Sequence, residues 1–274
     1  IELTELLMIV KIFVKHLFQN LEFKEEVSLG AINSINWARV AAQIVYYFST
    51  FQQLQSNRVS FSVPTGNFGD VLAGWVAKKM GLPINKLIVA TNDNDILDRA
   101  ISNGDYFQEE VKATTSPSMD IQISSNFERL LFESLDRDPE KLRNLFKELK
   151  ENNGFKIDND TLTYIRNDFK SGKASEEKVK DTISRIHKAS NIILDPHTAV
   201  GFYASASELN FDVPMVNLGT AHPAKFSKAV IDAIGFEPEI PDRLKNIINK
   251  KERFTQLENN SEALISFIRK HSNV

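Results

Sequence analysis

The sequence predicts an α/β fold in which a parallel sheet is covered by helices, and two observations carry that reading. Short apolar runs at 59–63 and 86–91 flank an amphipathic run at 71–80, the spacing of a strand–helix–strand unit. Strands joined by a helical crossover run parallel, and the connection is right-handed. The second run, Lys86-Leu87-Ile88-Val89-Ala90-Thr91, is largely apolar, as expected of a central strand with both faces buried. With 274 residues, 42% of them hydrophobic, the chain has enough apolar material for one large domain or two modest ones.

In chain order, Leu3, Leu6, Leu7, Val10, Phe13, Val14 and Leu17 form one helical stripe. Asn33-Ser34-Ile35-Asn36-Trp37-Ala38-Arg39 opens a second helix carrying Ile35, Val40, Ile44, Val45 and Phe48, with Asn33 or Ser34 as its N-cap. The 71–80 helix is expected to stop at Gly81 in a left-handed cap, with Pro83 just beyond. Residues 106–190 read as helical and heavily charged. Asp138-Pro139-Glu140 starts one helix, which ends at Gly154, and Ser175 caps another bearing Val179, Ile183 and Ile186. The α/β pattern returns at 191–198 and again at 213–220, and the tail after Gly235 is polar and helical. The expected division is an α/β domain over 1–105 and 191–235, a helical insertion over 106–190 and a carboxyl-terminal helical extension over 236–274.

Several function classes lose support. A formal charge of −3 and a pI near 6.0 give no basic field for nucleic acid, and no apolar stretch approaches the roughly 20 residues that cross a bilayer. There is no cysteine, hence no disulfide framework, thiolate nucleophile or cysteine-ligated metal, in keeping with a reducing cytoplasm. The five histidines lack metal-ligand spacing and no G-x-S-x-G elbow occurs, so no metal and no serine hydrolase is expected. The amino terminus is not a signal peptide, and its immediate helical pattern without an initiating methionine reads as the middle of a protein.

Ligands of parallel sheets bind beyond the carboxyl ends of the strands. Thr65-Gly66-Asn67-Phe68-Gly69-Asp70 lies there, between a strand and a helix. Glycines at a helix N-terminus let free N–H groups approach an anion, so this stretch reads either as a phosphate cradle or as a tight turn with Asp70 an ordinary first-turn acid. It is neither a Walker loop nor G-x-G-x-x-G. A second strand-to-helix junction, Gly219-Thr220-Ala221-His222-Pro223-Ala224-Lys225-Phe226, offers a hydroxyl that either binds a ligand or caps backbone. His222 and His197 read as structural histidines, and Lys225 as a surface or anion-contacting cation.

These pieces, with Ala90-Thr91-Asn92-Asp93-Asn94-Asp95, Ser118-Met119-Asp120 and Asp195-Pro196-His197-Thr198-Ala199-Val200, resemble threonine synthase in order and spacing from residue 1 to about 235. That family consists of pyridoxal-phosphate enzymes of the tryptophan-synthase-β fold (fold type II), and the insertion is closer to its fungal and enterobacterial branch. The resemblance implies pyridoxal 5'-phosphate as cofactor, with Gly66, Asn67, Phe68 and Asp70 bordering its phosphate and Thr220 near its pyridine nitrogen. Thr65 stands where serine is more usual and keeps the hydroxyl. The implied reaction is a carbon–oxygen lyase conversion of O-phosphohomoserine and water to L-threonine and phosphate, and Asn33, Ser34, Asn36 and Arg39 are candidate contacts to the substrate phosphate. For those four the other reading is helix capping and a surface arginine.

The family's Schiff-base lysine belongs to a phenylalanine-lysine-aspartate segment of the amino-terminal half, which has no counterpart in these residues. The expectation is therefore a carboxyl-terminal portion with the amino-terminal part missing, no catalytic lysine of its own and a need for the missing half or an oligomer partner. The alternative is a non-catalytic threonine-synthase-like protein that binds a phospholigand.

Overall fold

The computed structural model describes residues 16–30, 34–248 and 250–272. The helix expected at 3–17 falls outside them except for its end, where Leu17 is buried. The chain forms two compact units, residues 33–239 and residues 1–32 with 240–274.

The larger unit is built on a four-stranded sheet in the order β5-β2-β1-β6, formed by β1 (Val59–Pro64), β2 (Ile84–Thr91), β5 (Phe169–Lys173) and β6 (Met215–Asn217). All three pairings are parallel. β2 occupies the interior position its apolar sequence predicts. Successive residues point to opposite faces, so Leu87 and Val89 join a core with Phe61, Phe68, Leu72, Phe127 and Phe169, while Ile88 and Ala90 join another with Met119, Ile183, Leu194 and Val200. The serines of β1 belong to the second face. Ser62 is fully buried and donates to the Gly201 carbonyl at 2.8 Å, so the helix Pro196–Ser205 lies close against the sheet. A short antiparallel pair, β3 (Asp105–Phe107) with β4 (Gly154–Lys156), lies apart from that sheet.

The helix Gly69–Lys79 connects β1 to β2. Its end is a Schellman arrangement: Gly81, at φ +105°, donates to Lys78 O at 3.0 Å, and Leu82 donates to Ala77 O at 3.0 Å. Asp138 and Ser175 cap the helices Pro139–Asn152 and Glu176–Ser190 as read from the sequence.

Four expectations need correction. Residues 106–190 are not a wholly helical insertion, because β3 begins at its margin and β4 and β5 lie inside it, and β5 is an integral strand of the main sheet. Its sequence, Phe-Lys-Ser-Gly-Lys, carries a single large apolar residue, and Gly172 lies close against the neighbouring helix: a Cβ there would stand 3.0 Å from Ala204 Cβ. Residues 191–195 form no strand, since Asn191 ends the preceding helix at φ +60° and Asp195 caps the next one. The helix Trp37–Gln53 is capped by Asn36, which accepts from Ala38 N at 2.9 Å, and not by Ser34; Asn33 lies outside the described residues. The helix Pro139–Asn152 stops at Asn153, in the left-handed conformation, and not at Gly154, which instead starts β4 under the Phe107 ring.

In the smaller unit, Asn20 caps Leu21–Glu26 and Asn260 caps Ser261–His271. Arg269 pairs with both Glu26 oxygens at 2.6 Å and lies 5.5 Å from the buried Phe23 ring. A helix Asp242–Ile248 also belongs here.

Candidate functional site

β1 delivers its last ladder bond through Thr65, whose N–H donates to Ala90 O at 2.8 Å. The Thr65 hydroxyl donates back to Val63 O at 2.6 Å, so it braces the strand end. The chain then turns through Gly66, Asn67 and Phe68 into the helix. Phe68 adopts the left-handed conformation (φ +60°, ψ 10°), costly for a bulky L-residue. Burial of its ring against Phe127 and Phe169, with centroids 5.3 and 5.6 Å away, offsets that cost.

The carbonyls of this turn are drawn to one side. Ser124 Oγ donates to Gly66 O at 2.8 Å, and Asn126 donates to Asn67 O through both its backbone N (3.2 Å) and Nδ2 (2.9 Å). Among the described residues, the backbone N–H groups of Gly66, Asn67, Phe68, Gly69, Asp70 and Val71 make no hydrogen bond. These residues line a cavity of about 150 Å³ together with Ser34, Arg39 and Gln43. A run of unpaired N–H groups at a helix N-terminus carries partial positive charge and receives an anion. Gly66 is dictated by space, since a Cβ would come within 2.7 Å of the Ser118 carbonyl oxygen.

Asp70 closes one side of this cavity. Burial pushes its pKa up to about 6, against a smaller downward pull from the Tyr47 hydroxyl, which donates to Asp70 O at 2.8 Å and Oδ1 at 3.1 Å. Tyr47 is fully buried, and its phenol pKa is raised well above the ordinary value by desolvation and by the Asp70 charge. Its ring fits because residue 74 is glycine: a Cβ there would lie 2.5 Å from Tyr47 Cε1.

Thr220 comes from the end of β6, where Leu218 N donates to Ser62 O at 3.0 Å and Thr220 N donates to Thr198 Oγ1 at 3.4 Å. It lines a cavity of about 420 Å³ with Gln43, Tyr46, Asp70, Leu218 and Gly219. A third cavity, of about 140 Å³, includes Pro64, Gly66, Ser118, His197, Thr220 and Lys225. Shared lining residues connect the three: Gln43 and Asp70 the first two, Pro64 and Gly66 the first and third, Thr220 the last two.

The structure thus brings together Gly66, Asn67, Phe68, Asp70, Thr220, Ser34 and Arg39 around neighbouring cavities that share lining residues. Arg39 is exposed and, among the described residues, forms no ion pair. Asn36 does not line these cavities; its side chain caps the helix. His222 is likewise a cap, accepting from Ala224 N at 3.2 Å, whereas His197 and Lys225 both face the third cavity. Sequence reasoning missed Tyr47, Gln43, Ser124 and Asn126, which reach the site only through tertiary contacts. Among the described residues, no group of three His, Asp or Glu side chains converges as a metal site, and no helix is long and apolar enough to cross a membrane.

Residues 198–268 match the family model for the threonine synthase C-terminal region. The chain is 44% identical over 264 residues to threonine synthase of Pseudomonas aeruginosa, covering 95% of this chain and 56% of that protein. Identity is also 44% to threonine synthase of Saccharomyces cerevisiae, covering 89% and 53% respectively. A crystal structure of pyridoxal-phosphate-bound threonine synthase from Brucella melitensis superposes with a TM-score of 0.92 at 47% identity, over 96% of this chain and 57% of that one. The chain spans about half the length of the curated relatives it matches.

Proposed function

Because this chain belongs to the threonine synthase family and has the fold-type-II architecture of its solved members, we propose that it forms the phosphate-recognising part of a cytoplasmic threonine synthase. The proposed reaction converts O-phosphohomoserine and water to L-threonine and phosphate. The observation that carries this reading is the run of six N–H groups from Gly66 to Val71, unpaired among the described residues, in the cavity that Arg39 also lines, with Asp70 shared by the cavity of Thr220.

The residues present fit pyridoxal 5'-phosphate. Backbone N–H groups at Gly66, Asn67, Phe68 and Asp70 would hold its phosphate, each charge-assisted bond contributing about 1.5–3 kcal/mol. The helix dipole adds up to about 2 kcal/mol. Gly66 leaves the room a Cβ would occupy. Thr220, which lines two of the cavities, would offer its hydroxyl to the pyridine nitrogen as a neutral partner. When bound, the cofactor supplies an electron sink for charge developing at substrate carbons. The chain's own further task is to receive a phosphate leaving group, and Arg39, with its permanent charge and planar donor fork, would do this alongside Ser34 from the same cavity that the loop N–H groups line. The Schiff-base lysine comes, in this reading, from a segment outside these 274 residues. Asn33 remains a proposed substrate contact; Asn36 acts as the helix cap.

The test is pyridoxal-phosphate binding followed by absorbance, then phosphate release from O-phosphohomoserine by the protein supplied with the lysine-bearing segment. Binding with turnover supports the proposal. Binding without turnover favours a non-catalytic phospholigand-binding role, and no binding removes both.

A further inference from the structure

Asn126 is fully buried, and its side chain ties together two segments that lie far apart in the sequence. Nδ2 donates to Asn67 O at 2.9 Å and to Ser34 O at 2.8 Å, and Oδ1 accepts from Arg129 Nε at 3.2 Å. A guanidinium can only donate and a carbonyl can only accept, so the amide fits this place in one orientation, with both its protons used. Asn67 belongs to the loop whose N–H groups are unpaired among the described residues. Ser34 belongs to the segment that leads into the helix Trp37–Gln53, whose first turn carries Arg39. Arg129 grips that segment twice more: Nη2 donates to Ile35 O at 3.0 Å, and the guanidinium lies 5.6 Å from the Trp37 ring centre.

The two segments meet at Gly69, where a Cβ would lie 3.5 Å from Asn126 Nδ2 and 3.9 Å from Ser34 O. Residues 66–71 of the loop and Ser34 and Arg39 of the other segment line one cavity of about 150 Å³. Groups that receive a ligand from two sides work together only at a fixed spacing, and a misplacement of about 1 Å can cost on the order of 100-fold. We propose that Asn126 is a positioning residue of this site, which with Arg129 fixes segment 34–39 against loop 66–70 and so sets where Arg39 stands relative to the phosphate held by the loop. Neither Asn126 nor Arg129 lines that cavity; both act through the backbone they hold. This inference rests on the threonine synthase reading.

The test uses the full-length protein. Asn126→Ala removes the side-chain contacts to both segments, and Arg129→Lys keeps the cation but loses the fork that reaches Asn126 and Ile35 together. Each should raise KM for O-phosphohomoserine about two- to tenfold, the equivalent of one hydrogen bond, with kcat within about twofold of the unmutated protein. Pyridoxal-phosphate affinity, read by absorbance without turnover, should fall about two- to tenfold in Asn126→Ala and stay within about twofold in Arg129→Lys, which touches the other segment. Arg39→Ala added to either variant should raise KM by less than it does alone, because the arginine is already displaced. Asp168→Ala, which strands the Trp75 indole N–H away from the loop, should leave KM and cofactor affinity unchanged. An unchanged KM in Arg129→Lys and Asn126→Ala, effects that simply multiply with that of Arg39→Ala, or the same losses in Asp168→Ala overturn the inference and leave the threonine synthase reading standing. If Asn126→Ala does not fold, KM of Arg129→Lys and its combination with Arg39→Ala decide. Absence of cofactor binding and turnover in the unmutated protein overturns both.

Discussion

Replacing Asp70 with asparagine should change the pH dependence of stability in a defined direction. In the folded protein the Asp70 carboxyl titrates near 6, against an ordinary value of 3.8, because burial disfavours its charge. A raised carboxyl pKa means that the native state binds the proton more tightly than the unfolded chain. The stabilising contribution of Asp70 is therefore fully present below about pH 3.8 and is lost as pH rises through 6. The shift of about two units corresponds to about 3 kcal/mol at 1.36 kcal/mol per unit. The Asp70→Asn side chain retains an oxygen that can accept from Tyr47 and has no charge to desolvate. Urea unfolding of both proteins between pH 4 and pH 8, analysed by linear extrapolation, should show the variant gaining on the wild type by about 2.4 kcal/mol across that range, since about 0.5 kcal/mol of the total is already lost at pH 4, with most of the gain developing between pH 4 and 6.5. Taking the difference between the two proteins removes every other titrating group. Parallel profiles would refute the assignment of a buried, uncompensated carboxyl at the mouth of the loop.

Gly66→Ala places a Cβ 2.7 Å from a backbone oxygen of Ser118, and should cost about 1–3 kcal/mol in urea unfolding while weakening pyridoxal-phosphate binding measured by absorbance. Arg39→Ala should leave the melting temperature unchanged, since Arg39 makes no ion pair among the described residues, and should raise KM for O-phosphohomoserine in the full-length protein; an unchanged KM removes Arg39 from the site. Asp168 accepts from the buried Trp75 indole at 3.0 Å and pairs with Lys78 at 2.7 Å. Asp168→Ala strands that N–H and should lower stability by about 1–3 kcal/mol, read from the urea midpoint.

The β1–helix–β2 unit was legible because its signals are local: apolar runs of strand length, a helical stripe, and glycine and proline at the stop. β5 was not, because a strand whose neighbours supply the packing need not be apolar itself. Gly172 is a point of close approach to Ala204. Conversely, Ile192-Ile193-Leu194 looked like a strand, but Asp195-Pro196 starts a helix there, and Ile192 remains exposed. At the candidate site, Gly66, Asn67, Phe68, Asp70 and Thr220 were singled out from loop position and from resemblance, and in the structure they line neighbouring cavities. What turns the carbonyls of the loop away from the cavity was hidden. Asn126 reaches Asn67 from 59 positions along the chain and Tyr47 reaches Asp70 from 23, and neither separation leaves a trace in sequence periodicity.

A crystal structure of the full-length protein with pyridoxal 5'-phosphate bears most directly on the phosphate-loop proposal. The expected result is the cofactor phosphate within about 2.7–3.2 Å of the backbone nitrogens of the Gly66–Asp70 turn, with the Thr220 hydroxyl beside the pyridine nitrogen. A phosphate bound elsewhere, with the N–H groups of that turn facing solvent, would contradict it.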